Sequence, residues 1–349
     1  MASINDRKEV IKCLDALLKR LGITRKSMET DSGFGKGANY TGDIIKIVPF
    51  RDVTTRKILC IKQAYQCEAF MYETVFSSFA RMQSDANIKD RFDSYPKYYA
   101  SSMKAMEELV VLENLTSFQV GDRLETLTYH QARILAKEIV DYLCVNVVES
   151  QYLALYDSEK FRTQHEKVRT FPSKIHEMYL RYYRFDPEDE HGVIGHCDLW
   201  STNLLYNEQE IRIIDWQTAR VCSPAVDLSL ILFICCDAEV RNQHGQDLIE
   251  AYHDSCSTML GQFGEDPNAV FSRTVLEKHL KMYSGYALCL ALRTVTMISV
   301  PEDEVLDPSK ARNYIDLIDM YKNVSMDPKI FDARIRGILT DYVSYGYDM

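Results

Sequence analysis

The sequence predicts an α+β protein in two lobes, a small N-terminal lobe rich in β-strands and a larger C-terminal lobe that is mostly helical. Short apolar runs bounded by turn residues, which are typical of strands, occur repeatedly up to residue 115. After residue 128, apolar residues recur at helical spacing, and helices are predicted over residues 128–148, 242–263, 273–299, 309–323 and 328–343, with helix and loops over residues 158–185. The chain has 349 residues, which is enough for two lobes. We place the boundary between residues 114 and 115, so that residues 1–114 form the N-lobe and residues 115–349 the C-lobe.

Composition limits the classes of partner. Hydrophobic residues make up 46% of the chain, so a sizeable core is expected. The net charge is -10 and there is no long basic run, which disfavours nucleic acid or an anionic membrane as the main partner. We therefore expect a small-molecule partner. Nothing in the composition indicates an oligomeric state.

The cysteines and the N-terminal segment indicate a cytoplasmic protein. Ten cysteines are present and none forms a C-x-x-C pair. The first residues contain no signal-peptide core. Reduced, mostly buried thiols are the simplest interpretation. The longest strongly apolar run, Leu228 to Cys236, is too short to span a bilayer.

A glycine-rich segment lies near the start of the predicted N-lobe. An amphipathic helix is predicted over residues 5–21, and a strand over residues 43–48. Between them lie Gly33, Phe34, Gly35, Lys36 and Gly37. Glycines let the backbone approach a ligand closely. The segment is not a Walker A loop, because no G-K-[ST] triplet follows at the required spacing.

A strand and a helix follow in the predicted N-lobe. Residues 57–62 form a short apolar strand that ends in Lys62. Residues 67–79 are predicted to be helical and carry two glutamates, Glu68 and Glu73. Either glutamate could pair with Lys62, and the sequence spacing alone leaves both possibilities open.

The last predicted strands of the N-lobe lead to the lobe boundary. Residues 96–101 and residues 108–115 are both strand candidates. The second of these ends in a polar pair, Glu113 and Asn114. Taken alone, it is an ordinary buried strand.

The strongest functional signal is a predicted β-hairpin in the C-lobe. Residues 204–206 and 211–214 are short apolar runs joined by a polar turn, which indicates two paired strands. Asp198 and Asn203 lie ahead of the first strand, and Asp215 ends the second. The hairpin is therefore predicted to bring an amide and two carboxylates together. Such oxygen ligands suit Mg²⁺, which binds beside phosphates.

These segments resemble the ecdysteroid kinase-like family, a branch of the protein kinase-like superfamily that also contains choline kinases and aminoglycoside phosphotransferases. The spacing H-x-D-x-x-x-x-N followed by a strand-borne Asp is shared across that superfamily. The matching motifs are Ser32-Gly-Phe-Gly-Lys-Gly37, Glu68-Ala-Phe-Met-Tyr72, Val111-Leu-Glu-Asn-Leu115, His196-Cys-Asp-Leu-Trp-Ser-Thr-Asn203 and Ile214-Asp-Trp-Gln217. The resemblance implies a bilobal protein kinase-like fold.

The resemblance also implies a reaction, the transfer of the γ-phosphoryl group of ATP to an alcohol. Catalysis of this kind depends mainly on positioning and charge neutralisation. Asp198 would orient the substrate hydroxyl and accept its proton. Asn203 and Asp215 would hold Mg²⁺ against the phosphates. His196 and Asp227 would support the catalytic loop without taking part in the chemistry.

Nucleotide binding would fall to the N-lobe. By the same resemblance, Lys62 would contact the phosphates and Glu68 would orient it, with Glu73 as the alternative partner. The backbone of residues 33–37 would cover the phosphates. The backbone at Glu113–Asn114 would form the hinge that hydrogen-bonds the adenine.

Two residues depart from the pattern of the resembling family, and several alternatives stay open. Cys197 stands where the family usually has Gly, and Trp216 where it commonly has Phe. An ecdysteroid or another lipophilic alcohol is the expected acceptor, and choline, ethanolamine or a sugar-like alcohol of the aminoglycoside type is the alternative. A pseudokinase that binds nucleotide or a partner without catalysis is a second alternative. A metal site formed by His191, His196 and Cys197 is disfavoured, because adjacent His and Cys are poorly placed for one tetrahedral site.

Overall fold

The architecture was analysed in a computed structural model. It describes residues 25–29, 42–49, 53–58, 62–89, 91–103, 109–113, 115, 117–121, 125–138, 142–143, 177–178, 181–182, 185–186, 189–300 and 328–348. The helix predicted over residues 5–21, the glycine-rich segment, the helix predicted over residues 309–323 and most of residues 158–185 lie outside these ranges. The described residues combine strands and helices, as the sequence predicts.

A five-stranded antiparallel sheet forms the first part of the fold, with strand order β1-β2-β3-β5-β4. The strands are β1 (Arg25–Glu29), β2 (Gly42–Pro49), β3 (Val53–Ile58), β4 (Tyr98–Ser102) and β5 (Leu109–Glu113). Val110 and Val111 of β5 point to opposite faces of the sheet, and both are fully buried. The sheet is therefore covered on both sides at this strand.

A long helical segment follows the third strand. Helix α1 (Lys62–Phe70) continues through a π-helical turn (Met71–Val75) into α2 (Phe76–Asp85). This contains the helix predicted over residues 67–79. The strand predicted over residues 57–62 is wrong at its end, because β3 stops at Ile58 and Lys62 is the first residue of α1.

The ladder around β3 is described as far as Ile58. Ile58 pairs with Gly42 of β2, and Val53–Arg56 pair with β5. Residues 59–61, which belong to the predicted strand, lie outside the described ranges.

The second part of the fold is mainly helical. Its helices are α3 (Tyr129–Glu138), α4 (Ala225–Leu230), α5 (Ala238–Gln262), α6 (Pro267–Val270), α7 (Arg273–Tyr283), α8 (Gly285–Ile298) and α9 (Pro328–Ser344). A π-helical turn (Ile231–Cys235) extends α4. The single helix predicted over residues 273–299 is divided at Ser284 into α7 and α8. None of the helices in the described ranges has the length and hydropathy needed to cross a bilayer.

Two small sheets lie in this second part. One has the order β10-β9-β6 and the other β11-β8-β7. Their strands are β6 (Gln119–Val120), β7 (Tyr142–Leu143), β8 (Val193–Cys197), β9 (Leu204–Tyr206), β10 (Ile211–Ile213) and β11 (Arg220–Cys222). Strand β7 lies inside the helix predicted over residues 128–148, which is therefore shorter than expected and ends at Glu138.

The core of the helical part is built around α4 and α8. All six residues of α4 are buried, and so is the apolar run Tyr286–Leu292 of α8. A buried ion pair, in which Arg241 Nε donates to Asp341 Oδ2 at 2.7 Å, joins α5 to α9. The seven described cysteines are all free thiols, in agreement with the predicted reduced state.

Candidate active site

The predicted hairpin is confirmed in the described structure. Strand β9 pairs antiparallel with β10, and Ile211 lies opposite Tyr206. The side-chain oxygen of Asn207 accepts hydrogen bonds from the backbone N–H groups of Gln209 and Glu210, at 2.9 and 2.8 Å. This is the local turn chemistry expected of Asn. It sets the register of the hairpin and so fixes where the second strand ends.

Asp198, Asn203 and Asp215 lie together at the end of this hairpin. Asn203 occupies a short 3₁₀ turn (Ser201–Asn203), and its side-chain N–H donates to the carbonyl of Asp198 at 2.8 Å. Its own backbone carbonyl accepts from the N–H of Ile214 at 3.0 Å. Asn203 therefore joins the loop that carries Asp198 to the strand that leads to Asp215. Because the amide nitrogen is engaged, the amide oxygen is the atom available for a cation.

The charge of Asp198 is tuned by its surroundings. Burial is the largest effect and raises the pKa of its carboxyl group, and the carboxylate of Asp215 raises it further. The positive charge of Arg293 and a hydrogen bond from Asn203 lower it. The resulting pKa is about 6. These opposing effects leave a carboxylate that is ionised at neutral pH and whose pKa lies close to neutrality. A pKa near the operating pH is what general acid–base catalysis needs.

Asp215 has an unusual backbone conformation. Its φ is 69°, in the left-handed region, and only 6% of its surface is exposed. Aspartate tolerates this region better than most residues with a side chain. The turn ends β10 abruptly and places the carboxylate close enough to Asp198 to influence its charge.

His196 supports the loop as a neutral imidazole. The backbone N–H of Asp198 donates to its Nδ1 at 3.2 Å, so that its Nε2 carries the proton and donates to the carbonyl of Ile214 at 2.9 Å. Burial lowers the pKa of His196 to about 4, which keeps the ring uncharged. Both ring nitrogens are engaged, so His196 is not placed to ligate a metal together with His191 and Cys197.

Trp216 packs against this histidine. The two rings are 4.7 Å apart at an angle of 65°. The indole N–H donates to the carbonyl of Ile213 at 3.1 Å, and the ring meets Phe76 of α2 edge-on at 4.9 Å. The larger aromatic at this position thus fills the space between the catalytic hairpin and the long helix of the N-terminal part.

The side chain of Asp227 binds the backbone at the start of the loop that carries Asp198. One carboxylate oxygen accepts from the N–H of His196 at 2.7 Å and the other from the N–H of Cys197 at 2.8 Å. Cys197 is fully buried and has a φ of 79°. This left-handed conformation is favourable for Gly and costly for other residues. This conformation suits the Gly that the resembling family usually has at this position, and Cys197 adopts it with its N–H bound to Asp227.

The two candidate glutamates of the long helical segment have different surroundings. Glu68 of α1 is fully buried. Its neighbour Cys67 donates its thiol hydrogen to the carbonyl of Ala219 at 3.2 Å, just after the segment that carries Asp215. Glu73 instead accepts hydrogen bonds from the hydroxyl groups of Tyr98 and, at 2.6 Å, Ser101. Glu68 is therefore the glutamate on the side of the catalytic hairpin.

The remaining nucleotide-binding residues are only partly described. Lys62 begins α1, but its side chain is outside the described set, as are Asn114 and residues 33–37. Glu113 ends β5, and its backbone N–H donates to the carbonyl of Lys97 at 2.8 Å. A hinge at this point would therefore have to use the carbonyl of Glu113 or the backbone after it. The pairing of Lys62 with either glutamate stays a prediction.

Arg293 is a site residue that sequence reasoning missed. It lies on α8, in an apolar run, and its charge acts on Asp198 from more than ninety residues away in sequence. The sequence signal is a charged residue within an apolar helical segment. An arginine in an otherwise apolar buried helix needs a polar or acidic partner.

Comparison with known proteins identifies a family for this chain. The sequence pattern of the ecdysteroid kinase-like family matches residues 24–144 and 137–265. A Caenorhabditis elegans protein named uncharacterized oxidoreductase dhs-27 is 26% identical over 161 residues, which are 40% of this chain and 19% of that protein. The match thus spans about a fifth of the length of that relative.

Two solved structures are similar to this chain at low sequence identity. The complex of spectinomycin phosphotransferase with ADP and spectinomycin is 14% identical, covers 94% of this chain and 98% of its own, and has a TM-score of 0.45. A choline kinase from Cryptosporidium parvum is 13% identical, covers 98% of this chain and 97% of its own, and has a TM-score of 0.46. The family match covers well over half of the sequence and includes the whole catalytic hairpin. The chain therefore belongs to the ecdysteroid kinase-like family.

Proposed function

We propose that the protein is a small-molecule kinase that transfers the γ-phosphoryl group of ATP to an alcohol hydroxyl. The observation that carries the proposal is the grouping of Asp198, Asn203 and Asp215 at the end of one hairpin. Asn203 donates to the backbone carbonyl of Asp198 at 2.8 Å, and its own carbonyl accepts at 3.0 Å from the N–H of Ile214, the residue before Asp215. Membership of the ecdysteroid kinase-like family supports the same reaction.

Asp198 is the proposed base. With a pKa of about 6, its carboxyl group is mostly ionised at neutral pH and can accept the proton of the substrate hydroxyl. General-base catalysis of this kind contributes roughly 10²- to 10⁴-fold to the rate. The loop around it is held by His196 and Asp227, whose hydrogen bonds fix the backbone N–H groups of Asp198 and Cys197. Positioning by this loop is the larger part of the proposed mechanism.

Asn203 and Asp215 are the proposed ligands of Mg²⁺. An amide oxygen and a carboxylate are hard oxygen donors, and such donors fit this cation. When bound, the ion would neutralise charge on the ATP phosphates. The left-handed turn at Asp215 and the engaged amide nitrogen of Asn203 leave these oxygens at the end of the hairpin.

The nucleotide would lie between this hairpin and the five-stranded sheet. In this proposal Lys62 contacts the phosphates, Glu68 orients it, residues 33–37 cover the phosphates and Glu113–Asn114 provides the hinge. The complete burial of Glu68 supports its choice over Glu73. The helical start at Lys62 puts Lys62 and Glu68 six positions apart on one helix, about 9 Å along its axis and roughly 120° apart around it. An ion pair would therefore require the lysine side chain to reach along α1.

The proposed acceptor is an ecdysteroid or another lipophilic alcohol, because the family is named for ecdysteroid kinases. Choline, ethanolamine and aminoglycoside-type alcohols are the alternative acceptors. The protein would act in the cytoplasm, in accordance with its free cysteines.

A pseudokinase is the second candidate function, and Cys197 is the observation that favours it. A side chain replaces the usual glycine at the start of the catalytic loop. However, both N–H groups at this point remain bound to Asp227, so the loop keeps its attachment. Catalysis is therefore the better supported of the two.

ATP consumption with Mg²⁺ tests the proposal, using a panel of ecdysteroids, choline, ethanolamine and sugars. We expect turnover with one acceptor and its loss in Asp198→Asn. Asp266→Asn is the matched control, because Asp266 is an exposed residue that caps α6, and Asn also caps helices well. Binding of ATP without turnover against a broad panel would favour the pseudokinase. Failure to bind ATP at all would show that the kinase proposal is wrong.

A further inference from the structure

A second cluster of polar side chains lies at the opposite end of β8 from Asp198. Asp189 and His191 precede this strand, and His279 lies on α7 beside them. Strand β8 has five residues and is roughly 16 Å long. The cluster is therefore separate from the catalytic loop, which follows the far end of the same strand.

The three side chains converge closely enough to share an ion. One potential ligand atom from each of Asp189, His191 and His279 lies within 4.8 Å of the other two. The same residues line a cavity of about 470 Å³, together with Glu190, Val275 and Lys278. His279 is buried, whereas Asp189 and His191 are partly exposed. An ion could therefore enter from solvent and meet a ligand that is fixed in the protein interior.

Hydrogen bonds hold the cluster in place before any ion binds. The Nδ1 of His279 lies 2.9 Å from the hydroxyl oxygen of Ser223, which leaves Nε2 as its ligand atom. The backbone N–H of His191 donates to Asp189 Oδ1 at 2.8 Å, which fixes the carboxylate beside the imidazole. Histidines that bind metals usually have such a partner on the other ring nitrogen, which orients the ring.

We propose that Asp189, His191 and His279 bind a borderline transition-metal ion such as Zn²⁺. Two imidazoles and a carboxylate are typical Zn²⁺ ligands, and three protein ligands leave a fourth position open. Mg²⁺ prefers oxygen ligands, so the two proposed metal sites would select different ions. The bound ion joins the segment before β8 to α7 and stabilises that attachment. This site does not depend on the proposed phosphotransfer.

Metal binding to the whole chain tests this proposal. After removal of metals with a chelator, Zn²⁺ is titrated by calorimetry in excess Mg²⁺, and Co²⁺ is added separately to record its visible absorption. We expect one equivalent of Zn²⁺ per chain, a rise in melting temperature, and a Co²⁺ spectrum that shows nitrogen ligation. Absence of stoichiometric binding in the unmodified chain would overturn the proposal.

Variants identify the ligands. We expect His191→Ala and His279→Gln each to lose stoichiometric binding. His191→Ala changes a partly exposed side chain, so it tests the site even if His279→Gln folds poorly. His130→Ala is the control, because His130 is an exposed histidine outside the cluster, and it should bind one equivalent. Asp215→Asn should also retain binding. Binding that survives His191→Ala, or that is lost in Asp215→Asn, would show that the ion binds elsewhere.

Discussion

The carboxylate of Asp227 holds the backbone of Cys197 across 30 residues of sequence, with a hydrogen bond of 2.8 Å from the Cys197 N–H. Its second oxygen accepts the N–H of His196 at 2.7 Å. Asp227 is fully buried in the first turn of α4. A carboxylate can accept at both oxygens, whereas an amide can accept at only one.

Asp227→Asn should therefore destabilise the protein and slow catalysis. The amide would place an N–H₂ group against a backbone N–H, leaving a buried donor without its acceptor. We expect a loss of about 2 to 4 kcal/mol in the free energy of unfolding, measured with urea. Asp266→Asn should change it by less than about 0.5 kcal/mol, because Asp266 is an exposed helix cap and Asn also caps helices well. Equal stability of Asp227→Asn and the unmodified protein would show that these hydrogen bonds contribute little.

Local chemistry made the hairpin of β9 and β10 predictable. Its strands, its turn and the three polar residues at its end all lie within 18 residues, from Asp198 to Asp215. The turn depends on Asn207, whose side chain bonds to the next residues of the chain. The pattern that predicts these features is local, so it could be recognised in the sequence although distant partners such as β6 also hold the hairpin.

Other features depend on partners that are distant in sequence. Strand β7 at Tyr142–Leu143 pairs in parallel with His196 and Cys197, and an apolar run alone does not distinguish such a strand from a buried helix. Arg293 acts on Asp198 from α8, a helix that is distant in sequence. The proposed zinc ligand His279 likewise comes from a helix far from Asp189 in sequence.

At position 197 we expect the glycine variant to be more stable than the alanine variant, which is the reverse of the usual order of stability. At a φ of 79°, a residue with a side chain is strained by about 1 kcal/mol or more. Both Cys197→Ala and Cys197→Gly remove the buried thiol, so their difference isolates the backbone term. We expect Cys197→Gly to be more stable than Cys197→Ala by about 1 kcal/mol in urea unfolding. If Ala is the more stable, the left-handed conformation at this position is wrong.

The carboxyl group of Asp198 should destabilise the metal-free and nucleotide-free chain at neutral pH. Its pKa is raised from 3.8 to about 6 by burial, so the folded chain holds this proton more tightly than the unfolded chain. The resulting stability is present below the unfolded pKa and is lost as pH rises towards about 6. Asp198→Asn has no such proton to lose.

Asp198→Asn should therefore gain stability relative to the unmodified chain as pH rises. The gain should be small near the unfolded pKa of 3.8. It should reach about 3 kcal/mol well above the folded pKa. Urea unfolding in chelator across this pH range measures the difference, and the low-pH values serve as the internal control. A gain that does not vary with pH would contradict the raised pKa.

Arg293 should limit the upward shift of the Asp198 pKa. Its positive charge lowers the pKa of Asp198, so its removal should raise that pKa above about 6. Arg293→Met removes the charge at similar length, and Arg293→Lys keeps it. We expect the pH midpoint of the Asp198→Asn stability gain to move upward in the Met background and to stay in place in the Lys background. In the phosphotransferase assay, Arg293→Met should lose activity at neutral pH and recover part of it at higher pH, since less of Asp198 is ionised. An unchanged midpoint in Arg293→Met would show that the arginine does not act on this carboxylate.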